Sequence, residues 1–224
     1  MEFKIRGTTL QVVDVTLEEG ESVFCEGGGM AWMSPNIEMR TETKGGILAG
    51  LGRKLAGESF FMNVFTCTRG RGLIAFAQEA PGKIVHKKLG EGERIIAQKY
   101  AFMFAEEGGG IKMRFRKKIG AGLFGGEGFI LQEIIGPGNA FFELFGEIVE
   151  YELKEGQLLK IDPGHIGMYE PTISYDITRV KGFKNVLFGG EGIFLATLRG
   201  PGKVWLQSMP LSNLRAKLLM PGIK

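Results

Sequence analysis

Three glutamates hold matching places along the chain. Glu58, Glu127 and Glu191 each sit just before an apolar run, Phe60-Phe61-Met62, Phe129-Ile130-Leu131 and Ile193-Phe194-Leu195, and Glu191 follows Glu127 by 64 residues. Three carboxylates turned toward a common axis would form a ring able to hold a cation or a substrate. A Glu at a strand entry, bonded to a backbone N–H or a nearby Lys or Arg, is the plainer account of the same pattern. Cations form the second constellation. Lys44, Arg53 and Lys54 lie in one stretch, Lys112, Arg114, Arg116, Lys117 and Lys118 in another, and Arg179, Lys181 and Lys184 in a third. The stretches 44–57, 111–126 and 179–190 contain no acidic residue and hold eleven of the 28 basic residues. With a net charge of only +3, that segregation matters more than the total, because a surface field is set by charges within a Debye length of about 8 Å.

Acid–base and nucleophilic chemistry find little material. Asp14, Asp162 and Asp176 are the three aspartates, His86 and His165 the two histidines, and there is no Gly-x-Ser-x-Gly, His-Glu-x-x-His or Cys-x-x-Cys. Nothing in the spacing recommends Ser174 or Cys67 as a nucleophile. Asp162, His165 and Glu170 are close enough in sequence for a metal site, although a turn at Asp162-Pro163-Gly164 accounts for the first of them. Gly120-Ala121-Gly122-Leu123-Phe124-Gly125 spells the dinucleotide fingerprint, but Gly126-Glu127-Gly128 follows where a helix should begin, so it reads as a hairpin tip. The expectation is a protein with no cofactor, no metal and no catalytic constellation.

The elements that carry these residues are strands. Glycine is 36 of 224 residues, about 16% against an average near 7%, without a period of three. Phe and Val/Ile runs between the glycines favour strands, and sustained 3.6-residue periodicity is scarce. A 44% hydrophobic and 24% charged composition excludes disorder, and no apolar run approaches the roughly 20 residues of a spanning helix. Cys25 and Cys67 are expected as free thiols, and the opening Met1-Glu2-Phe3-Lys4 shows no secretory leader. The expected location is the cytoplasm, with peripheral membrane attachment through the basic loops.

Self-similarity organises the strands. Gly125-Gly126-Glu127-Gly128, Gly136-Pro137-Gly138 and Leu89-Gly90-Glu91-Gly92 return 64 residues later as Gly189-Gly190-Glu191-Gly192, Gly200-Pro201-Gly202 and Leu153-Lys154-Glu155-Gly156. A more divergent copy runs from Leu17-Glu18-Glu19-Gly20 to Arg69-Gly70-Arg71-Gly72. The expectation is a mostly β single domain, 1–224, of three tandem β-sandwich-like modules at about 10–82, 83–147 and 148–210 in a pseudo-threefold arrangement, with a tail at 211–224. The apolar runs after each repeated Glu do not alternate, which predicts burial on both faces. A short helix over 46–55 and a better one from Ser212 to Leu219, with Ser212 as N-cap, complete the reading.

The Gly-Gly-Glu-Gly blocks, with Glu170-Pro171-Thr172-Ile173-Ser174-Tyr175-Asp176 and Gly200-Pro201-Gly202-Lys203-Val204-Trp205-Leu206-Gln207-Ser208, resemble the altered inheritance of mitochondria protein twenty-four family over nearly the whole chain. The resemblance implies a β fold similar to the tryptophan RNA-binding attenuation protein. It brings no residue-level site, and RNA binding does not follow from shared fold.

The basic stretches are also apolar, with Ile47, Leu48, Leu51 and Leu55 in the first, Ile119, Leu123 and Phe124 in the second and Phe183, Val186, Leu187 and Phe188 in the third. A basic rim with apolar tips suits an anionic lipid surface or a protein partner. The plainer account makes the apolar residues core and the charges solvated hairpin edges that discourage strand addition. The leading functional expectation is a non-enzymatic binding or scaffold protein that self-associates. A small-ligand or metal-binding protein with a pocket between modules is the alternative. RNA binding comes third, since the basic loops lack aromatic interleaving.

Overall fold

A computed structural model describes residues 1–26, 29–43, 61–108, 111–119, 129–179 and 194–218. The strands are β1 (Glu2–Arg6), β2 (Val12–Glu18), β3 (Ser22–Glu26), β4 (Met30–Met33), β5 (Ile37–Thr43), β6 (Phe61–Cys67), β7 (Arg71–Ala77), β8 (Gly82–Leu89), β9 (Arg94–Gln98) and β10 (Phe102–Glu107). They continue as β11 (Lys112–Ile119), β12 (Phe129–Ile135), β13 (Gly138–Phe145), β14 (Ile148–Leu153), β15 (Leu158–Ile161), β16 (Ile166–Tyr169), β17 (Ser174–Arg179), β18 (Phe194–Arg199) and β19 (Gly202–Gln207), before helix α1 (Leu211–Leu218). The protein is mostly β, as its composition predicts.

Alternation builds the strands that cover a core on one side. In β2, Val13, Val15 and Leu17 are fully buried while Val12, Asp14 and Thr16 are half-buried, the period-two pattern of a sheet with one wet face. In β12 the non-alternating run is buried on both faces: Ile130, Leu131 and Gln132 are buried in succession. In β18, Ala196 and Leu198 are buried and Leu195 and Thr197 half-buried, an alternating pattern, while Ile193 of the run Ile193-Phe194-Leu195 lies outside the described residues.

The order of pairing returns three times. From β2, the first, sixth and third strands pair as β2-β7-β4 and the second, fifth and fourth as β3-β6-β5. From β8 the same rule gives β8-β13-β10 and β9-β12-β11, and from β14 it gives β14-β19-β16 and β15-β18-β17. Larger sheets arise where the second strand of one set pairs antiparallel with the third strand of the next, β3 with β10 and β9 with β16. Small bonds repeat with the strands. Glu106 accepts the Asn139 N–H at 3.2 Å, Glu170 accepts the Lys203 N–H at 2.9 Å, and Ser34 accepts the Leu73 N–H at 2.9 Å. The Glu-Gly turns share a backbone as well: Gly92 and Gly156 have φ of 71° and 74°, left-handed values that a side chain would strain.

The chain divides into two compact units. Unit 1 comprises 1–92, 102–111 and 136–143, and holds the sheets β1-β2-β7-β4 and β5-β6-β3-β10-β13-β8. Its core joins Val13, Val15 and Leu17 to Phe65, Ile74, Phe76, Phe104 and Phe141, together with Cys25 and Cys67, which are free thiols. Phe104 stacks between Phe76 and Phe141 at centroid distances of 4.0 and 4.2 Å. Unit 2 comprises 93–101, 112–135 and 144–224, with the sheets β11-β12-β9-β16-β19-β14 and β15-β18-β17. Ile96, Leu131, Ile166, Tyr169, Leu198 and Val204 form its core.

The cap of helix α1 stands two residues earlier than the sequence suggests. The Pro210 carbonyl accepts from Asn213 and Leu214 at 3.0 and 3.1 Å, so Pro210 takes the cap position and Ser212 falls in the first turn. β19 has already ended at Gln207, and the fixed φ of the proline suits helix entry. The segment 46–55, read as a short helix, lies outside the described residues.

Candidate functional site

Strands β5, β11 and β17 each end a sheet, pairing with β6, β12 and β18. Each also leads into one of the three basic-apolar stretches. The candidate cations divide accordingly. Lys112, Arg114, Arg116, Lys117 and Lys118 are all on β11, in register with Ile135 (for Lys112), Glu133 (for Arg114), Leu131 (for Lys117) and Ile130 (for Lys118), with an irregularity at Arg116. Arg179 closes β17, opposite Phe194. Lys44, Arg53, Lys54, Lys181 and Lys184 lie outside the described residues, as do Glu58, Glu127 and Glu191.

The three edges are not electrically alike. β5 carries Glu38 and Glu42 beside Arg40, and Arg40 pairs with Glu42 at 2.9 Å. β17 carries Asp176 with Arg179. β11 carries five cations in eight residues and no acid, while its partner β12 contributes a single carboxylate, Glu133, which lies 3.6 Å from Arg94. An edge strand presents a row of backbone N–H and C=O groups, and a line of Lys and Arg along it repels another such edge while attracting anions. The first effect suffices to keep the sheet from growing.

The residues considered for a metal are committed to backbone. Asp162 accepts from Gly164 N–H at 3.0 Å at the start of a 3-10 turn, Pro163–His165; His165 Nδ1 lies 2.8 Å from the Gln207 carbonyl; Glu170 holds the Lys203 N–H. Among the described residues no group of three His, Cys, Asp or Glu could hold a metal ion. Cys67 is buried with its sulfur 3.5 Å from the Arg69 carbonyl, and Ser174 is exposed at the start of β17. His86 is bonded to Asn139 Oδ1 at 2.9 Å and Asn139 Nδ2 to Glu106 at 2.7 Å, a relay-like order. The imidazole ring packs against Phe3 and Phe141, at 4.5 and 4.9 Å, so this order of bonds ends in packing. The glycine-rich stretch 120–128 joins β11 to β12, which pair antiparallel, so the dinucleotide spelling lacks the strand-then-helix setting that would give it meaning.

One set of residues escaped the sequence reading. Gln78, Glu143 and Gln207 are buried polar side chains that each accept a backbone N–H, from Gln11 at 2.8 Å, Glu79 at 3.3 Å and Phe145 at 3.1 Å respectively. Their spacing of 65 and 64 residues was available as a signal, since each follows an apolar strand run. Polar residues beside such runs are ordinarily solvated, which is why the pattern does not stand out.

These observations define an antiparallel β protein of three similarly paired six-strand sets, with five cations on the sheet-ending strand β11. The chain belongs to the family described as mitochondrial biogenesis AIM24, which matches residues 3–209. An uncharacterised protein of Streptococcus pyogenes serotype M6 is 32% identical over 227 residues, covering 97% of this chain and 90% of the relative. The crystal structure of a Streptococcus pyogenes protein, 28% identical, superposes with a TM-score of 0.77 over 97% of both chains. Neither relative carries an assigned activity in its name.

Proposed function

We propose that this protein is a non-enzymatic docking protein that attaches, through β11 and the stretch that follows it, to an anionic membrane surface. The observation that carries the reading is the charge of the β11 edge: five cations in eight residues, facing a partner strand with one carboxylate. The residues that follow, Leu123 and Phe124, add apolar contact of the kind that enters the headgroup boundary. Each Lys or Arg near an anionic leaflet contributes about 1 kcal/mol, so this segment alone suffices for reversible attachment. The stretches after β5 and β17 occupy the same place in their own strand sets and supply further cations in the same reading. No helix among the described residues is long and apolar enough to cross a membrane, which fits attachment at the surface.

Co-sedimentation with vesicles tests it. Binding to vesicles containing about one third phosphatidylserine, and none to pure phosphatidylcholine, is expected, with affinity falling steeply as salt rises. Equal binding to both compositions, or none to either, overturns the proposal. Binding to an acidic protein in place of lipid would redirect it to a protein partner.

A further inference from the structure

The three strand sets treat the outer side of their first strand differently. In the first set β2 takes β1 as an antiparallel neighbour, with Phe3 opposite Val15, Lys4 opposite Asp14 and Ile5 opposite Val13. Ile5 and Met1 pack on the core to which Val13 and Val15 belong, and Arg6 pairs with Asp14. In the second set the turn before β2 covers the start of β8: the Thr9 carbonyl accepts the Gly82 N–H at 2.8 Å, and Gln11 Oε1 accepts the Ile84 N–H at 2.7 Å. In the third set β14 ends its sheet and pairs with β19 alone.

This last edge is open at its apolar positions. Aligning Leu17-Glu18-Glu19-Gly20 with Leu153-Lys154-Glu155-Gly156 puts Val149 in the place of Val13, Glu150 in that of Asp14 and Tyr151 in that of Val15. The pairing agrees, since Val15 lies opposite Ile74 and Tyr151 opposite Val204, each a core residue of its unit. Val13 and Val15 are fully buried, whereas Val149 is 43% and Tyr151 48% exposed. The edge is also acidic. Glu150 and Glu152 are exposed on β14, and Glu147 and Glu155 flank it, against Lys154 and Lys203. Lys203 lies 3.1 Å from Glu150, which also accepts from Trp205 Nε1 at 2.6 Å, so Glu150 is held in place and partly neutralised.

We propose that β14 is a docking edge for an extended segment of a partner protein in which apolar residues alternate with Lys or Arg, added antiparallel as β1 is added to β2. Main-chain bonds along the edge hold such a strand, and its alternate side chains select it. Its apolar residues cover Val149 and Tyr151 from the positions that Ile5 and Phe3 take opposite Val13 and Val15. Its cations meet Glu150 and Glu152 as Lys4 and Arg6 meet Asp14. Like charges directly opposite one another are destabilising, so β14 of a second copy is a poor occupant.

The probe is a synthetic peptide, Met-Glu-Phe-Lys-Ile-Arg-Gly, with the sequence of residues 1–7. It is titrated into the isotopically labelled whole chain and followed by backbone amide NMR. Shifts centred on 148–153 are expected at about 1 mM peptide. Glu152→Lys, which alters an exposed side chain, should weaken binding about fivefold. A control peptide with Glu in place of its Lys and Arg should bind about tenfold or more weakly. No shift on β14, or equal shifts from the two peptides, overturns the proposal. Shifts confined to β2 refute it as well, because the peptide would then only exchange with β1. Light scattering distinguishes a second copy, whose β11 offers the same alternation in Met113-Arg114-Phe115-Arg116. A mass that grows with protein concentration, and falls to that of one chain in Glu152→Lys, would give the edge to that copy and overturn the partner-protein reading.

Discussion

A single atom decides several positions in this chain. A Cβ added at Gly136 would overlap the Gly90 carbonyl oxygen, and one at Gly200 the Lys154 carbonyl oxygen, backbone atoms that cannot swing aside. Gly136→Ala and Gly200→Ala are each expected to cost about 2 kcal/mol or more in urea unfolding, and a change below about 0.5 kcal/mol would show that the contact relaxes. The two Gly-Pro-Gly strings were legible as turns because glycine and proline punctuate strands, but a sequence does not show what the backbone is pressed against. Burial also acts on Cys25, whose thiol is pushed up to about 11 with the help of the neighbouring Glu26 charge. Since the thiolate is the nucleophile, Cys25 should resist alkylation at pH 8 in the native protein and react once unfolded. Rapid native labelling at Cys25, read by mass spectrometry, would contradict its placement.

Strands hold one another through a few large side chains. Phe76 on β7, Phe104 on β10 and Phe141 on β13 stack across the two sheets of unit 1, and all three are buried. Phe104→Ala removes the middle ring and leaves two ring faces without a neighbour, at an expected cost of about 3–5 kcal/mol. A loss below 1 kcal/mol in chemical denaturation would mean the core collapses into the gap. Element types were legible from alternation, as in Val13, Val15 and Leu17, and from consecutive apolar residues, as in Ile130 and Leu131. Element ends were less so. The helix entry moved from Ser212 to Pro210 because a capping hydroxyl is only one way to begin a helix, and a proline with its fixed φ is another. The charge asymmetry between β5, β11 and β17 was hidden for a different reason: the basic stretches were read from their loops, and the acids of β5 lie upstream of them.

Across the whole chain, the 64-residue echoes of the sequence correspond to elements that pair by one rule, with Glu106 and Glu170 performing the same bond at that offset. The same bond at the same offset is what tandem copies of one strand set would keep. The strand sets differ at their edges, where β11 carries five cations and β5 a mixed charge. In the proposed reading the docking surface sits where the strand sets differ, which is why the fold was far more legible than the site. The most direct test is vesicle affinity with charge removed from one place at a time. Replacing Arg116, Lys117 and Lys118 with Ser should weaken binding to phosphatidylserine vesicles by about tenfold or more. Replacing the exposed Lys154, Lys160 and Lys217, which remove the same charge, should weaken it several-fold less. Equal losses from the two triple variants would contradict the account, because attachment would then follow net charge and not the β11 edge.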